Sequence, residues 1–307
     1  MSLNIVVVGS LNMDLVAYTA RLPEMGETIL GQDFQTFPGG KGANQAVAAA
    51  RLGAGVSMIG KVGQDAFGQA LIENLQHNGV DTQSIFKDPD RPTGTAVITV
   101  DSEGRNTIVV ISGSNYRLSP QDVESCRQTI AGAAVLLLQL ETPLETVLRA
   151  AQLAHESGVK VLLNPAPAQD LPDELYSLVD ILIPNETEAA LLTGLPVENR
   201  EQVVQAAGSL LAKGAKSVLI TLGKQGAVWV NASGSRFIPA FEVKAVDSTA
   251  AGDAFIGGLG CALASRMSME EALRWGSAAG ALAVTRKGAQ SSLPTAAELK
   301  AFLAGNS

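Results

Sequence analysis

"REQVVQAAGSLLAKGAKSVLITLG", residues 200–223, holds the alternation on which the fold turns. Its first half is a helical pattern that stops at Gly214, a residue suited to closing a helix. Its second half, "SVLITLG" (217–223), is a short apolar run rich in β-branched residues. Such a run suits a strand buried on both faces, as in a parallel sheet covered by helices. Similar runs recur at "IVVVG" (5–9), "VSMIG" (56–60), "VLLLQ" (135–139), "VKVLLN" (159–164) and "DILIP" (180–184). Helical stretches lie between them. One is "DAFGQALIENLQHNG", from Asp65 to Gly79; another is "SPQDVESCRQTIAG", with Ser119 as N-cap, Pro120 at the first helical position and Gly132 near its end. The pattern predicts an α/β fold, a doubly wound, mostly parallel sheet flanked by helices.

Two segments, 14–37 and 93–113, do not fit a strand–helix unit and read as hairpins, the second turning at Asp101–Gly104. The expectation is a single α/β domain over residues 1–307, with a small discontinuous β-sheet lid made from about 14–37 and 93–113. Two independent edge hairpins are the alternative.

The 307 residues are 46% hydrophobic and carry a net charge of −8 without a Lys/Arg run. An acidic surface of that kind argues against nucleic acid or an anionic membrane as partner. The start, "MSLNIVVVGS", lacks the features of a secretory leader, and the apolar stretch Ala254–Ala264 is shorter than the roughly 20 residues that span a bilayer. A cytoplasmic protein is expected. Cys126 and Cys261 match no metal or redox spacing and read as free thiols. His77 and His155 fall near helix C-termini and form no catalytic constellation.

Chemistry gathers in three stretches. "FPGGKGANQAVAAARLG" (37–53) looks at first like a phosphate-binding P-loop. It fails that reading twice, because Gln35 stands where the first glycine belongs and Gly42 replaces the Ser/Thr that holds magnesium. Its glycines suit either close approach to a small ligand, with Lys41 and Asn44 as polar contacts, or a tight turn into a packed helix. "GSLNMD" (9–14) follows the first strand, and Asn12 and Asp14 alternate so that both face one side, a pairing suited to a polyol. "DSTAAGDAFIGG" (247–258) sets Asp253 at the start of an apolar helix behind the small residues Ala250, Ala251 and Gly252. Unpaired helix amides there suit a phosphoryl group, and the carboxylate suits a general base. An ordinary N-cap is the other reading of Asp253.

Together "GGKGAN" (39–44), "NPAPA" (164–168), "PNETEA" (184–189), "ITLGKQGA" (220–227), "DSTAAGDAF" (247–255) and "AVTRKGAQ" (283–290) resemble the ribokinases, within the ribokinase-like (phosphofructokinase B type) sugar kinases, over essentially the full length. The resemblance implies ATP-dependent phosphorylation of the ribose 5-hydroxyl with Mg2+. It implies that Asp253 is the base, beside an anion hole of amides from Ala250, Ala251, Gly252 and Asp253. It implies sugar contacts from Asn12, Asp14, Gly40, Lys41, Asn44, Glu141 and Asp253. The nucleotide is expected along Asn185, Glu188, Thr221, Leu222, Gly223, Lys224, Gln225, Gly226, Gly252 and Ser277. Ser277 is a departure, since many ribokinases carry histidine there. A K+ site is implied at Asp247, Thr249, Ala283, Arg286, Gly288 and Ser292, with Arg286 acting through its backbone carbonyl. A homodimer paired through the lid is implied as well.

Overall fold

The computed structural model describes residues 4–306. Its strands are β1 (Asn4–Val8), β2 (Asn12–Tyr18), β3 (Asp33–Gly39), β4 (Gly55–Gly63), β5 (Val80–Asp88), β6 (Gly94–Val100), β7 (Asn106–Ile111), β8 (Val135–Leu138), β9 (Lys160–Leu163), β10 (Ile181–Leu182), β11 (Ser217–Thr221), β12 (Ala227–Asn231) and β13 (Gly234–Ile238). Nine form one sheet in the order β13-β12-β11-β10-β9-β8-β1-β4-β5. It is parallel from β5 through β11, and antiparallel where β12 and β13 close one edge.

The helices are α1 (Lys41–Arg51), α2 (Ala66–His77), α3 (Pro120–Ser125), α4 (Arg127–Ala131), α5 (Leu144–Glu156), α6 (Asp173–Leu178), α7 (Glu186–Thr193), α8 (Arg200–Ala212), α9 (Ala251–Ala264), α10 (Met269–Ala283) and α11 (Ala296–Gly305). They cover both faces of the sheet. The first strand shows why its sequence is apolar throughout. Ile5 and Val7 point into a core with α1, α9 and α10, while Val6 and Val8 point into a second core with α5 and α8. The chain runs from β1 outward to β4 and β5, then returns to β8 on the other side of β1. The strand order therefore reverses between β1 and β8, and a crevice for ligands opens beyond their C-terminal ends.

The hairpin segments become a second sheet, in the order β3-β2-β6-β7. β2–β3 and β6–β7 are antiparallel pairs, and a parallel β2–β6 pairing joins them, so the two hairpins are not independent. Every residue of β7 is exposed, including Ile108, Val109, Val110 and Ile111, and Val97 on neighbouring β6 and Phe34 on β3, at the sheet's other edge, are exposed too.

Two local expectations are corrected. The single helix over 119–132 is two, α3 and α4, meeting at Cys126. The Ser125 hydroxyl donates to the Asp122 carbonyl, and the Cys126 amide turns to Val123 O instead, which tightens the turn and breaks the helix. Strands β5 and β13 gave no clear apolar run, because they lie at the sheet edges and are only partly buried, whereas β12, the apolar and mostly buried "AVWVN" (227–231), was missed. Among the described residues no helix is long and apolar enough to cross a membrane.

Candidate active site

Asp253 is the third residue of α9, and Ala250, not Asp253, occupies the N-cap position. The ordinary capping reading is thereby excluded. The carboxylate is 7% exposed, and both oxygens accept amide hydrogen bonds. Asn44 Nδ2 donates to Oδ2 at 3.0 Å and Gln45 Nε2 donates to Oδ1 at 3.0 Å. Burial pushes its pKa above the usual carboxylate range. Lys41 and the two amides pull the other way, and the charge of Glu141 adds to the rise. Ala250 holds the left-handed conformation, φ 56°, which turns the chain sharply into the helix. Gly252 and Asp253 follow at positions whose amides have no helical partner.

These residues line a cleft of about 220 Å3 with Lys41, Asn164, Ile183, Asn185, Glu188, Thr221, Ser248 and Ile256. The Lys41 ammonium is well buried. Burial opposes its charge, but the carboxylates of Asp253, Glu141 and Glu188 outweigh that and raise its pKa. Asn185 and Glu188 form a capping box at the start of α7. Both Glu188 oxygens are committed to Asn185, one to its backbone N–H and one to Nδ2, each at 2.9 Å. Burial keeps Glu188 above its ordinary pKa; the Asn185 amide and Lys41 offset part of the rise, while Asp253 adds to it.

Behind Lys41 lies a second polar cluster, where the ends of β1 and β8 face the start of α1. The Lys41 backbone N–H donates to Glu141 Oε2 at 3.0 Å, and Ser10 Oγ donates to the same oxygen in a short contact. Asn12 Oδ1 accepts from Asn115 Nδ2 at 2.7 Å, which leaves the Asn12 amide hydrogens for another partner. Asn115 also grips the backbone N–H and carbonyl of Leu11. Asp14 is raised to about 7, chiefly by burial and further by the charge of Glu141. The glycines before α1 meet other parts of the chain. A Cβ on Gly40 would lie 2.7 Å from Asn12 N, and one on Gly42 would lie 2.6 Å from Ser10 N.

The remaining expected residues fall into two further groups. Thr221 lines the main cleft, while 222–226 form the turn that follows, closed by Leu222 N–H donating to Gly226 O at 2.8 Å. Ser277 lies apart, in a neighbouring cavity with Phe237–Phe241, Glu270, Leu273 and Arg274. The two regions adjoin, because Ala227 pairs with Ile238. The expected K+ ligands sit on two loops that touch. Asp247 Oδ2 accepts from Gly288 N–H at 2.8 Å, Oδ1 accepts from the Thr249 amide and hydroxyl, and Asp247 N–H donates to Val284 O. Burial works against the Asp247 charge, yet these donors and Lys287 hold its pKa below the usual value. Ala283 O accepts from Arg286 N–H, the Arg286 guanidinium pairs with Glu298, and Ser292 Oγ donates to Ala289 O. All of the expected donors are oxygens, the type that suits a hard cation, and both Asp247 oxygens already accept from Thr249 and Gly288.

Sequence reasoning missed Ser10, Gln45, Asn115 and Gln139. Gln45 and Gln139 are fully buried neutral amides, linked by Gln139 Nε2 donating to Gln45 Oε1 at 2.7 Å. Their one signal was polarity inside "GGKGANQAVAAA" and "VLLLQ", where an apolar residue would pack more simply.

A buried carboxylate at a helix N-terminus, facing a lysine across a polar cleft at the strand ends, is the outline of a phosphoryl-transfer site. The model of the pfkB family of carbohydrate kinases matches residues 2–296, and the chain belongs to that family. The chain is 49% identical over 298 residues to a ribokinase of Haemophilus influenzae, covering 97% of each. It is 40% identical over 305 residues to a deoxyribokinase of Salmonella typhi, covering 99% of this chain and 100% of that one. Among solved structures, an Arabidopsis thaliana ribokinase complexed with ribose and ATP superposes with a TM-score of 0.92 at 35% identity, covering 99% of both chains.

Proposed function

We propose that the protein transfers the γ-phosphoryl group of ATP to the 5-hydroxyl of D-ribose, giving D-ribose 5-phosphate and ADP. The observation that carries this reading is the buried Asp253 carboxylate beside the open first turn of α9, within the field of Lys41. Ribose is held by Asn12, Asp14, Gly40, Lys41, Asn44 and Glu141, under a lid formed by the β3-β2-β6-β7 sheet of this single α/β domain. ATP lies along Asn185, Glu188 and the 221–226 turn, with its base toward Ser277 and its γ-phosphoryl against the amides of Gly252 and Asp253.

Asp253 takes the hydroxyl proton as the sugar oxygen attacks in line. Its raised pKa makes it a better base than an exposed aspartate, and such help is worth about 10²–10⁴ in rate. Lys41 balances the negative charge gathering between sugar and phosphate. Mg2+ bound to the nucleotide neutralises phosphate charge. Glu188, with both oxygens on Asn185, would contribute negative charge near that ion rather than a free ligand. K+ would be held by Asp247, Thr249, Ala283, Arg286, Gly288 and Ser292, and would steady the loop before α9. The free, buried Cys126 and Cys261 fit a reducing cytoplasm. The apolar face of β7 supports a homodimer paired through the lids.

The test is ADP release with D-ribose, 2-deoxyribose, fructose or adenosine, in Mg2+ with and without K+. Preference for ribose, lost in Asp253→Asn with folding intact, is expected. Turnover favouring 2-deoxyribose would keep the mechanism and move the substrate. Full turnover in Asp253→Asn would remove the base.

A further inference from the structure

Three elements meet on the back of Asp253: α9, which carries it, α1, which carries Gln45, and the end of β8, which carries Gln139. Gln139 Nε2 donates to Gln45 Oε1 at 2.7 Å, and Gln45 Nε2 donates to Asp253 Oδ1 at 3.0 Å. Both glutamines are 0% exposed and neither lines the cleft. The direction of the chain follows from its end. An ionised carboxylate only accepts, so Gln45 must present its amide nitrogen to Asp253, and its oxygen then faces Gln139. Gln139 must in turn present its own nitrogen, and its Oε1 is left buried without a partner, against Gly9. An unpaired buried acceptor is costly, and so is burying two amides where apolar side chains would pack. That cost has no structural return elsewhere in the cluster, because removing all three polar groups would remove it.

We infer that Gln139 and Gln45 are positioning residues that lock Asp253 by its Oδ1, leaving Oδ2 as the oxygen that takes the proton from the acceptor hydroxyl. Oδ2 lies on the side of Asn44, whose own Oδ1 is buried and unpartnered. In the transfer, the acceptor O–H bond breaks and its proton passes to Oδ2. The oxygen's electron pair forms the new bond to the γ-phosphorus, and the bridging bond to ADP breaks with its electrons on ADP. The inference rests on Asp253 as base. The charged groups facing that carboxylate are Lys41 from α1, Glu141 after β8 and Glu188 from α7, and none of them is altered in the test.

Gln45→Met keeps length and volume but loses the donor. It should lower kcat about tenfold, a part of what a general base supplies. KM for sugar and ATP should stay within about twofold, because no group touching either ligand changes. The acidic limb of the kcat profile should move to higher pH, since a hydrogen bond to the ionised form is gone. Gln139→Met should shift both in the same direction by less. The double variant should be no worse than Gln45→Met alone, because the two act through one chain. Wild-type kcat and acidic limb in Gln45→Met, or losses that multiply in the double variant, would overturn the relay. Asp253→Asn, measured beside them, separates the levels. If it is inactive while Gln45→Met behaves as wild type, only the relay falls; if it retains turnover, base and relay fall together.

Discussion

Asp14 is a carboxylate that the fold keeps near neutrality, at about 7 against an ordinary value of 3.8. Between those two values the folded protein binds a proton that the unfolded chain does not. Its contribution to stability is therefore full below 3.8 and is lost as pH rises through 7. Asp14→Asn should raise the melting temperature at pH 8 by about 2–4 °C, and by less at pH 5. The same change should raise KM for ribose about tenfold or more, because an ionised acceptor of hydroxyl hydrogen bonds is gone. In the wild type that KM should climb as pH falls below 7, and in the variant it should be flat. Calorimetry with a pH series of KM checks both. At this scale the sequence was legible wherever a residue was charged and stood in a motif, as with Asp253, Lys41, Glu188 and Asp247. It was not legible for Gln45 and Gln139, whose partners lie 208 and 94 positions away along the chain. Neither charge nor period marks a neutral amide, so its role emerges only from the packing.

Among the elements, α1 and α9 decide whether the sugar side and the phosphate side meet. Their contact is a seam of small side chains, and a Cβ on Gly257 would lie 2.5 Å from Ala48 Cβ and 2.9 Å from Gln45 O. Gly257→Ala should cost about 1–3 kcal/mol of stability by overpacking, and it should lower kcat as Asp253 moves from Asn44. Denaturant unfolding and steady-state rates on one preparation read both effects. Ala250 gives a second test, through its left-handed backbone. Ala250→Gly should be tolerated within about 1 kcal/mol, whereas Ala250→Val should destabilise by more than that and distort the first turn of α9. The parallel strands were legible because burial on both faces leaves a continuous apolar signature. The edge strands β5 and β13 were not, since partial exposure mixes polar residues into them. The N-cap reading of Asp253 failed because the chain enters α9 through Ala250, a conformation that alanine seldom adopts and that no local pattern announces.

For the whole molecule, the exposed outer face of the small sheet supports the proposed dimer. A row of exposed Ile108, Val109, Val110 and Ile111 on one strand is an open edge that a second copy can cover. Val109→Lys should shift the protein from dimer to monomer in sedimentation, and an unchanged mass would remove the lid as the interface. The proposed K+ site lies on the loops around Asp247. Asp247→Asn should abolish the response of kcat to K+ while leaving the melting temperature within about 3 °C, since Asp247 sits on a surface loop.

The small sheet and α1 share a piece of chain. β3 ends at Gly39, α1 begins at Lys41, and Gly40 between them touches the backbone of β2 at Asn12. Any movement of the lid sheet thus reaches the first turn of α1, and through Asn44 and Gln45 it reaches Asp253. A sugar held as proposed would bridge Asn12 and Asp14 to Asn44 and so span that joint; a lone water molecule is too small to do so. The arrangement discriminates between acceptors by reach, so nucleotide wastage in the absence of sugar should be slow. Sugar-free ADP release measures how well the joint guards the cell's ATP.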